Sequence, residues 1–488
     1  MAYKGLADFL EELAGAGELT RIDAEVDPHL EIAEITNRVS AAGGPALLFE
    51  RVRGQSIAVL TNLLGTPGRA CRALGIESLD GIAERIETVA AQHTPQNWFD
   101  RLKMGGPEGG TEKFRPKPVK NAMSQQVVHL GRDVNLATFP LVRSWPEESG
   151  ASVTAGLLLS SDRQMPALGV THCPLVALDA NRLVVIDDGN SAFARHWAAY
   201  QSAGEQMPIA VVLGGDPAML VAAQLDLPRE LELLHLVGLL RGKPLDVAKC
   251  RTHDLMAPAD AELIIEGYLD PQLPLEQVRA AGAGGSHYRV PSAAPVLNVS
   301  AITHRVRPIL PTLIDRGGAG EAAVFAKTRE RILLSALRCV VPNLADLCLP
   351  LLGGPHRFTF VAIHKKFPFH ARQVAAALWG TEALKFTKFL VLLDAEINLH
   401  DSVEVWAQVG ANVAPERDVF FHDGPAHSAD HAGTLYPLAR HMAIDATAKL
   451  PGERSGDWPG ALDAGEEIRR QVTARWAEFK LESTPPAS

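Results

Sequence analysis

Histidine and aspartate side chains crowd the segment "FFHDGPAHSADH", and residues of these types bind zinc or iron through neutral imidazole and carboxylate groups. The segment supplies His422, Asp423, His427, Asp430 and His431. Their spacing matches no standard metal signature, and the Gly-Pro pair between them is typical of a loop. We therefore predict a solvated polar loop here and keep metal binding as the alternative.

A histidine and a cysteine are neighbours in "VTHCPLV", at His172 and Cys173. A thiol beside an imidazole could act as nucleophile and base. The run is rich in branched residues and predicts a strand, on which adjacent side chains point to opposite faces. We therefore expect one of the two side chains to face a cavity and the other to pack, without a hydrogen bond between them.

Two further carboxylates border predicted strands. Asp246 lies in "PLDVAKC", where an outward-facing, solvated side chain is the simplest interpretation, because carboxylates are seldom buried unpaired. Glu276 lies in "EGYLDPQLPLEQVRAAGAGGSHYRVP", which begins as a strand end and continues as a loop of Ala, Gly and Ser. Glycine lets backbone approach a ligand closely. No carboxylate follows Glu276 in this loop, so Glu276 is its candidate acid.

The composition indicates a globular protein without a nucleic-acid interface. The chain has 488 residues, a net charge of −10, 47% hydrophobic and 21% charged residues. This balance argues against a nucleic-acid partner. The acidic N-terminus lacks the features of a signal peptide, and no stretch of about 18 uninterrupted apolar residues predicts a membrane helix. Five cysteines without a C-x-x-C pair indicate reduced thiols, so we predict a cytoplasmic location.

The distribution of helix and strand patterns predicts three regions. Leu6, Phe9, Leu10 and Leu13 share one helical face, and this helix opens a small α/β segment, 1–115. Short branched runs then predict a barrel-like or open, curled sheet with one helical insert, 120–315. Helices and strands alternate in a second α/β domain, 320–488. The Gly/Pro/Lys-rich stretch "KMGGPEGGTEKFRPKPVK" is typical of a linker.

Several segments, in order from about residue 5 to residue 455, resemble the UbiD family of prenyl-FMN-dependent decarboxylases, closest to the 4-hydroxy-3-polyprenylbenzoate decarboxylases. They include "NLLGTPGR", "FPLVRSWPEE", "LGGDPA", "LDVAKCRTHDLMAPADAELIIEGYLDP", "FTKF" and "MAIDATAKLPGE". The resemblance implies an α+β fold with a central FMN-binding split β-barrel, flanked by an N-terminal α/β segment and a C-terminal α/β domain. It also implies a homo-oligomer, either a dimer or a hexamer.

The family's site residues map onto this chain with several replacements. The strand motif that carries a metal-binding Asn and an Arg corresponds to "ALGVTH", which has Ala167 and His172 at these positions. The family's metal-binding His is expected after "NRLVVIDDGNS", a segment that offers only Asp187 and Asp188 in its place. The metal-binding Glu falls on Asp246. The two acids of the glycine-rich loop fall on Ala281 and Ser286 in one register, and Glu276 lies next to the first acid position in the other.

The mapping leads to two expectations about function. In the first, the protein is an atypical UbiD-like (de)carboxylase of a small aromatic or α,β-unsaturated carboxylic acid. His172 and Glu276 are then catalytic, Asp187 and Asp188 bind cofactor, and Asp246 binds metal. The resemblance implies prenylated FMN with a divalent metal (Mn), in an altered mode or absent here. In the second, the protein is a non-catalytic homologue that serves as a structural or regulatory subunit, paired with a UbiD-like paralogue. Neither expectation includes a nucleic acid or a membrane partner.

Overall fold

The computed structural model describes residues 3–82, 112–163, 168–224, 232–282, 287–289, 292–314, 316–428, 430–433, 438–454, 456, 458–460, 462 and 464–479. Ala167, Ser286 and the first half of the predicted linker, residues 103–111, lie outside these residues. The end of the linker is a strand, Lys117–Pro118, because its backbone pairs with the strand at residues 246–249. No helix of the described residues is long and apolar enough to cross a membrane.

The N-terminal region is an α/β layer. Its elements are α1 (Leu6–Gly15), β1 (Leu19–Ile22), α2 (Glu31–Ala41), β2 (Ala46–Phe49), β3 (Ala58–Thr61) and α3 (Pro67–Leu74). The strands form a sheet of order β1-β2-β3-β18, whose last member is β18 (Ile309–Pro311). The predicted apolar face of α1 is buried, with Leu6, Phe9, Leu10 and Leu13 at most 3% exposed, so the 3.6-residue periodicity located this part of the core correctly.

The middle region is dominated by antiparallel strands. They are β4 (Lys117–Pro118), β5 (Val127–Leu130), β6 (Ser152–Val153), β7 (Leu157–Ser161), β8 (Leu168–His172), β9 (Leu175–Ala177), β10 (Arg182–Val185), β11 (Met207–Leu213), β12 (Asp246–Lys249), β13 (Met256–Pro258), β14 (Leu263–Leu269), β15 (Glu276–Gln277), β16 (Ala293–Ala294) and β17 (Val296–His304). The helices are α4 (Ala192–Ala203), α5 (Ala218–Ala222) and α6 (Leu233–Arg241).

The large sheet of this region is curled and has the order β6-β9-β10-β17-β14-β11-β7-β8, with β5 added to β17. Two smaller sheets lie beside it, β13-β12-β4 and β15-β16. β14 and β17 approach each other so closely that a Cβ on Gly267 would lie 2.2 Å from the carbonyl oxygen of Asn298. Their pairing shifts register between Glu266 and Gly267, which marks a β-bulge in the middle of the sheet.

The C-terminal region is a second α/β layer. It contains α7 (Glu321–Arg338), β19 (Leu344–Cys348), β20 (Phe358–Ile363), α8 (His370–Trp379), β21 (Phe389–Asp394), α9 (Ser402–Asn412), α10 (Pro415–Asp418), β22 (Val419–Pro425), β23 (Leu438–Asp445) and α11 (Glu466–Ala474). The sheet order is β19-β20-β21-β23-β22, and β20, β21 and β23 are parallel. The fold is therefore α+β, as predicted. The three predicted domain boundaries stay predictions.

One local expectation differs from the structure. The segment "FFHDGPAHSADH" begins as strand β22, because residues 419–425 pair with β23 along their whole length, and becomes a loop only after Pro425. Helix α8 packs its apolar face inside the C-terminal core, where Val374 and Leu378 are at most 1% exposed.

Candidate active site

A cleft of about 1070 Å³ lies between the curled sheet and the C-terminal region. This volume is at the upper end of the range for ligand pockets, which leaves room for a cofactor and a small acid together. Apolar side chains form much of its lining, among them Leu168, Ile186, Leu313, Phe325, Leu349 and Phe386. Ionisable side chains stand on two opposing surfaces. We call the surface with Glu148, His172, Asp187 and Asp188 the barrel wall, and the surface with Arg329, His356 and His427 the C-terminal wall.

His172 ends β8 and lines the cleft, as the sequence predicted for one member of the His–Cys pair. Its Nε2 lies 2.7 Å from the carbonyl oxygen of Thr154. Because a carbonyl can only accept, Nε2 carries the proton and Nδ1 keeps its lone pair. Burial lowers the pKa of His172, so the imidazole is neutral near pH 7. The cationic form of His172 is therefore disfavoured.

Cys173 is 3% exposed and also lines the cleft. Burial raises the pKa of this thiol well above its ordinary value, and the nearby Asp187 and Asp188 raise it further. Since the thiolate is the reactive form, Cys173 is held as an unreactive thiol at neutral pH. This electrostatic setting removes the nucleophile–base pair from the possible chemistry of the site.

Asp187 and Asp188 follow β10 and both line the cleft. Asp187 accepts a hydrogen bond of 2.7 Å from the backbone N–H of Gly189. Burial raises the pKa of Asp187, and the neighbouring charge of Asp188 adds to this rise. Asp188 instead pairs with Arg289 at 2.6 Å, and its carbonyl oxygen accepts from the Ser428 hydroxyl at 3.2 Å. The two neighbouring aspartates thus differ, one being a protonatable carboxyl and the other a paired carboxylate.

Glu148 is a cleft residue that the sequence reasoning missed. It is 5% exposed and accepts hydrogen bonds from the backbone N–H groups of Ser144 and Trp145, at 2.8 and 3.0 Å. Burial raises its pKa, while a further backbone hydrogen bond from Ala281 opposes the rise. A carboxyl therefore lies beside Ala281, where the resemblance places an acid that this chain lacks. Glu148 ends the segment "FPLVRSWPEE", but the sequence alone does not show that this residue reaches the cleft.

Two predicted site residues lie away from the cleft lining. Asp246 is exposed on β12, in the small sheet with β4 and β13. Glu276 is partly buried on β15, opposite Ala294 of β16. Neither residue lines the cleft, so the structure brings His172, Asp187 and Asp188 together but leaves Asp246 and Glu276 outside. The roles predicted for these two residues rest on the sequence alone.

The C-terminal wall is cationic around two neutral imidazoles. His356 and His427 lie with ring centroids 4.7 Å apart, and Phe386 packs edge-on against His427 at 5.0 Å. Burial lowers the pKa of His356 well below its ordinary value, as do the nearby charges of Arg329 and Arg357. Burial also lowers the pKa of His427, again assisted by arginines. The guanidinium groups therefore carry the positive charge of this wall.

The acids near this wall are already paired. Asp430 lies 3.6 Å from Arg357 and 3.1 Å from Lys388, and Asp188 pairs with Arg289. Among the described residues of the lining, the arginines are Arg195, Arg289 and Arg329, and acids such as Glu321 and Glu382 line the cleft as well. Arginine forms paired hydrogen bonds with carboxylate and phosphate groups, so these guanidiniums suit an anionic ligand.

Helix α4 borders the barrel wall and is held close to it by glycine. Its N-cap Ser191 accepts from the N–H of Ala194 at 3.0 Å, and the buried His196 lies 2.9 Å from the hydroxyl of Ser160. A Cβ on Gly169 would come within 2.7 Å of the His196 ring. The first turn of α4 is therefore set against β8, where its positive dipole end faces the cleft.

The donor set does not fit the divalent metal that the resemblance implies. Asp246 is exposed on another sheet, and position 167 has an alanine, which offers no side-chain ligand. At the cleft, Asp188 is already paired with Arg289, and burial raises the pKa of Asp187, which opposes the charged form that a metal ligand needs. An organic anion is a better match, because the cleft offers apolar surface together with arginines. The proposed reaction therefore uses no metal.

Three family models match most of the chain. They describe the N-terminal, Rift-related and C-terminal domains of 3-octaprenyl-4-hydroxybenzoate carboxy-lyase, at residues 10–87, 117–317 and 323–446. An uncharacterized protein of Archaeoglobus fulgidus is 34% identical over 486 residues, which cover 98% of this chain and 99% of that protein. One of Aquifex aeolicus is 34% identical over 487 residues, with 98% and 99% covered.

Solved structures show the same fold. The UbiD-class enzyme HmfF from Pelotomaculum thermopropionicum, solved in complex with FMN, is 26% identical with a TM-score of 0.79, covering 95% of this chain and 98% of HmfF. Vanillic acid decarboxylase of Sedimentibacter hydroxybenzoicus in its closed form is 22% identical with a TM-score of 0.83, covering 99% and 100%. The chain therefore belongs to the UbiD family.

Proposed function

We propose that this protein is a carboxy-lyase that acts on an aromatic or α,β-unsaturated carboxylic acid bound in the cleft. The observation that carries the proposal is the contrast between the two walls. Carboxyl groups with raised pKa stand on the barrel wall, and guanidinium groups stand on the C-terminal wall. A carboxylate substrate needs a cation to bind it, and the product carbon needs an acid to protonate it.

Arg329 is the proposed binding residue for an anionic group of the substrate. It lines the cleft and lies close enough to His356 and His427 to lower the pKa of both. A neutral imidazole offers one N–H donor and carries no charge, so it does not compete with Arg329 for the charge of the anion. Arginine and imidazole donors together hold an anion in a fixed orientation, with its unsaturated carbon toward the barrel wall.

Asp187 is the proposed proton donor. When the bond to the carboxylate breaks, CO₂ leaves and the electron pair remains on the substrate carbon. A proton must then reach that carbon, and the raised pKa of Asp187 keeps a proton available. His172, fixed as the Nε2–H tautomer by Thr154, presents its Nδ1 lone pair and is the proposed relay that returns a proton to Asp187.

A flavin is the proposed cofactor, bound in the FMN-binding manner of a split barrel. HmfF has been solved with FMN, and an evolved dimeric form of it with prFMN. The apolar lining and the cations of this cleft suit a flavin ring and its phosphate. When bound, the flavin would supply an electron-poor ring that stabilises the negative charge left by CO₂. The predicted manganese is not part of this proposal.

A second candidate function is that of a non-catalytic subunit paired with a UbiD-like paralogue. The observation in its favour is that Asp246 and Glu276 both lie outside the cleft lining. Self-association is also proposed, because Ile468 and Val472 of α11 are 50% and 39% exposed on one helical face. Light scattering that returns a monomer at micromolar concentration would contradict this assembly.

The deciding experiment is expression of the protein with and without a flavin prenyltransferase. The purified protein is examined by visible absorption and incubated with a panel of aromatic and unsaturated acids. We expect a bound flavin chromophore and CO₂ release, or exchange of the product C–H in deuterated water. A colourless protein without CO₂ release from any acid would favour the subunit function.

A further inference from the structure

A cysteine, a histidine and a glutamate meet beside β12 and β14, outside the lining of the cleft. Cys250 directly follows β12, His253 lies in the turn that leads to β13, and Glu266 is in the middle of β14. The thiol, one imidazole nitrogen and one carboxylate oxygen all lie within 4.8 Å of one another. None of the three residues lines the cleft, so this group is separate from the candidate active site.

His253 has the hydrogen bonding of a metal-bound histidine. Its Nε2 lies 2.8 Å from the carbonyl oxygen of Ile209, so Nε2 carries the proton and Nδ1 presents a lone pair. Nδ1 is buried and has no hydrogen-bond partner among the described residues. Metal-bound histidines commonly donate their second ring N–H to a backbone carbonyl, which fixes the tautomer. A cation at Nδ1 would satisfy this buried acceptor.

Glu266 is a buried carboxylate that lacks a cation. It is 0% exposed, and among the described residues its carboxylate accepts from backbone N–H groups and a hydroxyl and from no Lys or Arg side chain. Its oxygens accept from the N–H groups of Arg251 and Thr252, at 2.9 and 2.8 Å, and from the Thr252 hydroxyl at 3.0 Å. Oε1 accepts one of these bonds and keeps a lone pair. Buried charges are normally paired or coordinate metals.

Cys250 supplies the softest ligand of the group. It is 5% exposed, and its N–H donates to the carbonyl of Leu255, which closes the turn. Burial beside Glu266 raises the pKa of the thiol, so Cys250 stays protonated without a cation. Binding of a divalent ion would exchange the thiol proton for a sulfur–metal bond and release that proton to solvent.

We propose that Cys250, His253 and Glu266 form a zinc site that fastens the β12–β13 turn to β14. Sulfur, imidazole and carboxylate together suit zinc better than magnesium, calcium or manganese, which prefer oxygen ligands. Tetrahedral zinc with bonds of about 2.0–2.3 Å holds its ligand atoms roughly 3.5 Å apart. The three ligand atoms lie within 4.8 Å of one another, so side-chain shifts of about 1 Å would bring them to the separation that zinc requires. The partly exposed His253 gives an entry path, and water takes the fourth position.

A second group of similar composition provides the contrast. Glu330, Cys348 and His400 also lie within 4.8 Å of one another. In that group Glu330 already pairs with Lys327 and Arg331, both at 2.7 Å. Protein cations therefore occupy the place that a metal would take, and we expect no zinc there. Cys348→Ser is accordingly the matched control for Cys250→Ser.

The test measures zinc in protein that carries no histidine tag. The protein is stripped with chelator, returned to one equivalent of zinc, dialysed and assayed by mass spectrometry. We expect one zinc per chain in the wild type and in Cys348→Ser. Cys250→Ser and His253→Asn should weaken zinc binding at least 100-fold. Equal zinc content in the wild type and Cys250→Ser would overturn the proposal, as would a wild type that binds no zinc.

A cobalt titration keeps the proposal testable if the variants fail to fold. Wild-type protein with one equivalent of cobalt should show near-ultraviolet thiolate-to-cobalt absorption and visible bands of a four-coordinate ion. Its midpoint of thermal unfolding should also rise by a few degrees with zinc, because an ion that binds the folded state stabilises it. Absence of the thiolate band, or an unfolding midpoint that zinc leaves unchanged, would refute the site.

Discussion

The two walls of the cleft differ in the type of ionisable group that they bury and in the direction in which burial shifts its pKa. On the barrel wall, burial raises the pKa values of Glu148 and Asp187, so these carboxyls tend to hold protons. On the C-terminal wall, burial and nearby arginines lower the pKa values of His356 and His427, so these imidazoles tend to lose them. Both effects disfavour charge on the buried group. The positive charge of the C-terminal wall is on its guanidiniums, and this difference underlies the proposal that one wall donates a proton and the other binds an anion.

Asp187→Asn removes the proposed proton donor of the barrel wall, and we expect it to cause the largest loss of activity. The amide keeps the shape and the hydrogen bond from Gly189 but removes the transferable proton. We expect a loss of CO₂ release of at least about 100-fold, the usual contribution of a general acid. Glu148→Gln is the control, with a smaller loss, because Glu148 is held by backbone N–H groups. Equal losses in both variants would mean that Glu148 shares the proton transfer.

The pH profile sharpens the same contrast. The acid must be protonated to act, and burial raises the pKa of Asp187. Activity should therefore be high at low pH and fall as the pH rises through that raised value. A rate that increased with pH over this range would show that a deprotonated Asp187 is the active form, contrary to the proposed role.

Arg329→Met removes the proposed anion-binding group of the C-terminal wall and leaves the proposed proton donor, Asp187, in place. Loss of charged hydrogen bonds to a substrate carboxylate should raise KM about 10- to 100-fold and leave kcat within a few-fold. Arg38→Met, at an arginine whose side chain is 78% exposed on α2, is the matched control and should change neither constant. A loss confined to kcat would place Arg329 in the chemical step instead of in binding.

The stability of the C-terminal wall should depend on pH in a defined direction. His356 and His427 have lower pKa values in the folded chain than in the unfolded chain, so the unfolded state binds protons more readily. Stability is therefore complete above the ordinary histidine value of about 6.5 and falls as the pH drops below it. The His356→Phe/His427→Phe variant should show a smaller drop in unfolding midpoint between pH 7 and pH 5 than the wild type. His29→Asn, at an exposed histidine, should match the wild type, and parallel curves for all three proteins would contradict the expectation.

Local patterns predicted the parts of the molecule that neighbouring residues determine. The helical period located the buried face of α1. The strand pattern around His172 predicted one side chain at a cavity, whereas His172 and Cys173 both line the cleft. The resemblance identified the family and the α+β fold. Glu148, Arg289 and Arg329 were missed because they come from separate segments, which meet only when the curled sheet and the C-terminal region pack together. The spacing of these three residues along the chain does not show that they lie close together in the fold.

Asp246→Asn and Glu276→Gln should have the smallest effects, and they test the two predicted site residues that lie outside the cleft lining. The sequence predicted metal binding for Asp246 and catalysis for Glu276. The structure places Asp246 exposed on β12 and Glu276 on β15, both outside the cleft lining. Each variant keeps the size of the side chain and removes one negative charge. Because surface substitutions change stability by about 0.5 kcal/mol or less, Asp246→Asn should be close to neutral. We expect CO₂ release within about two-fold of the wild type for both, since neither carboxyl contacts the cleft. A loss of 100-fold in Glu276→Gln, with the unfolding midpoint unchanged, would instead mean that β15 moves to the cleft when substrate binds.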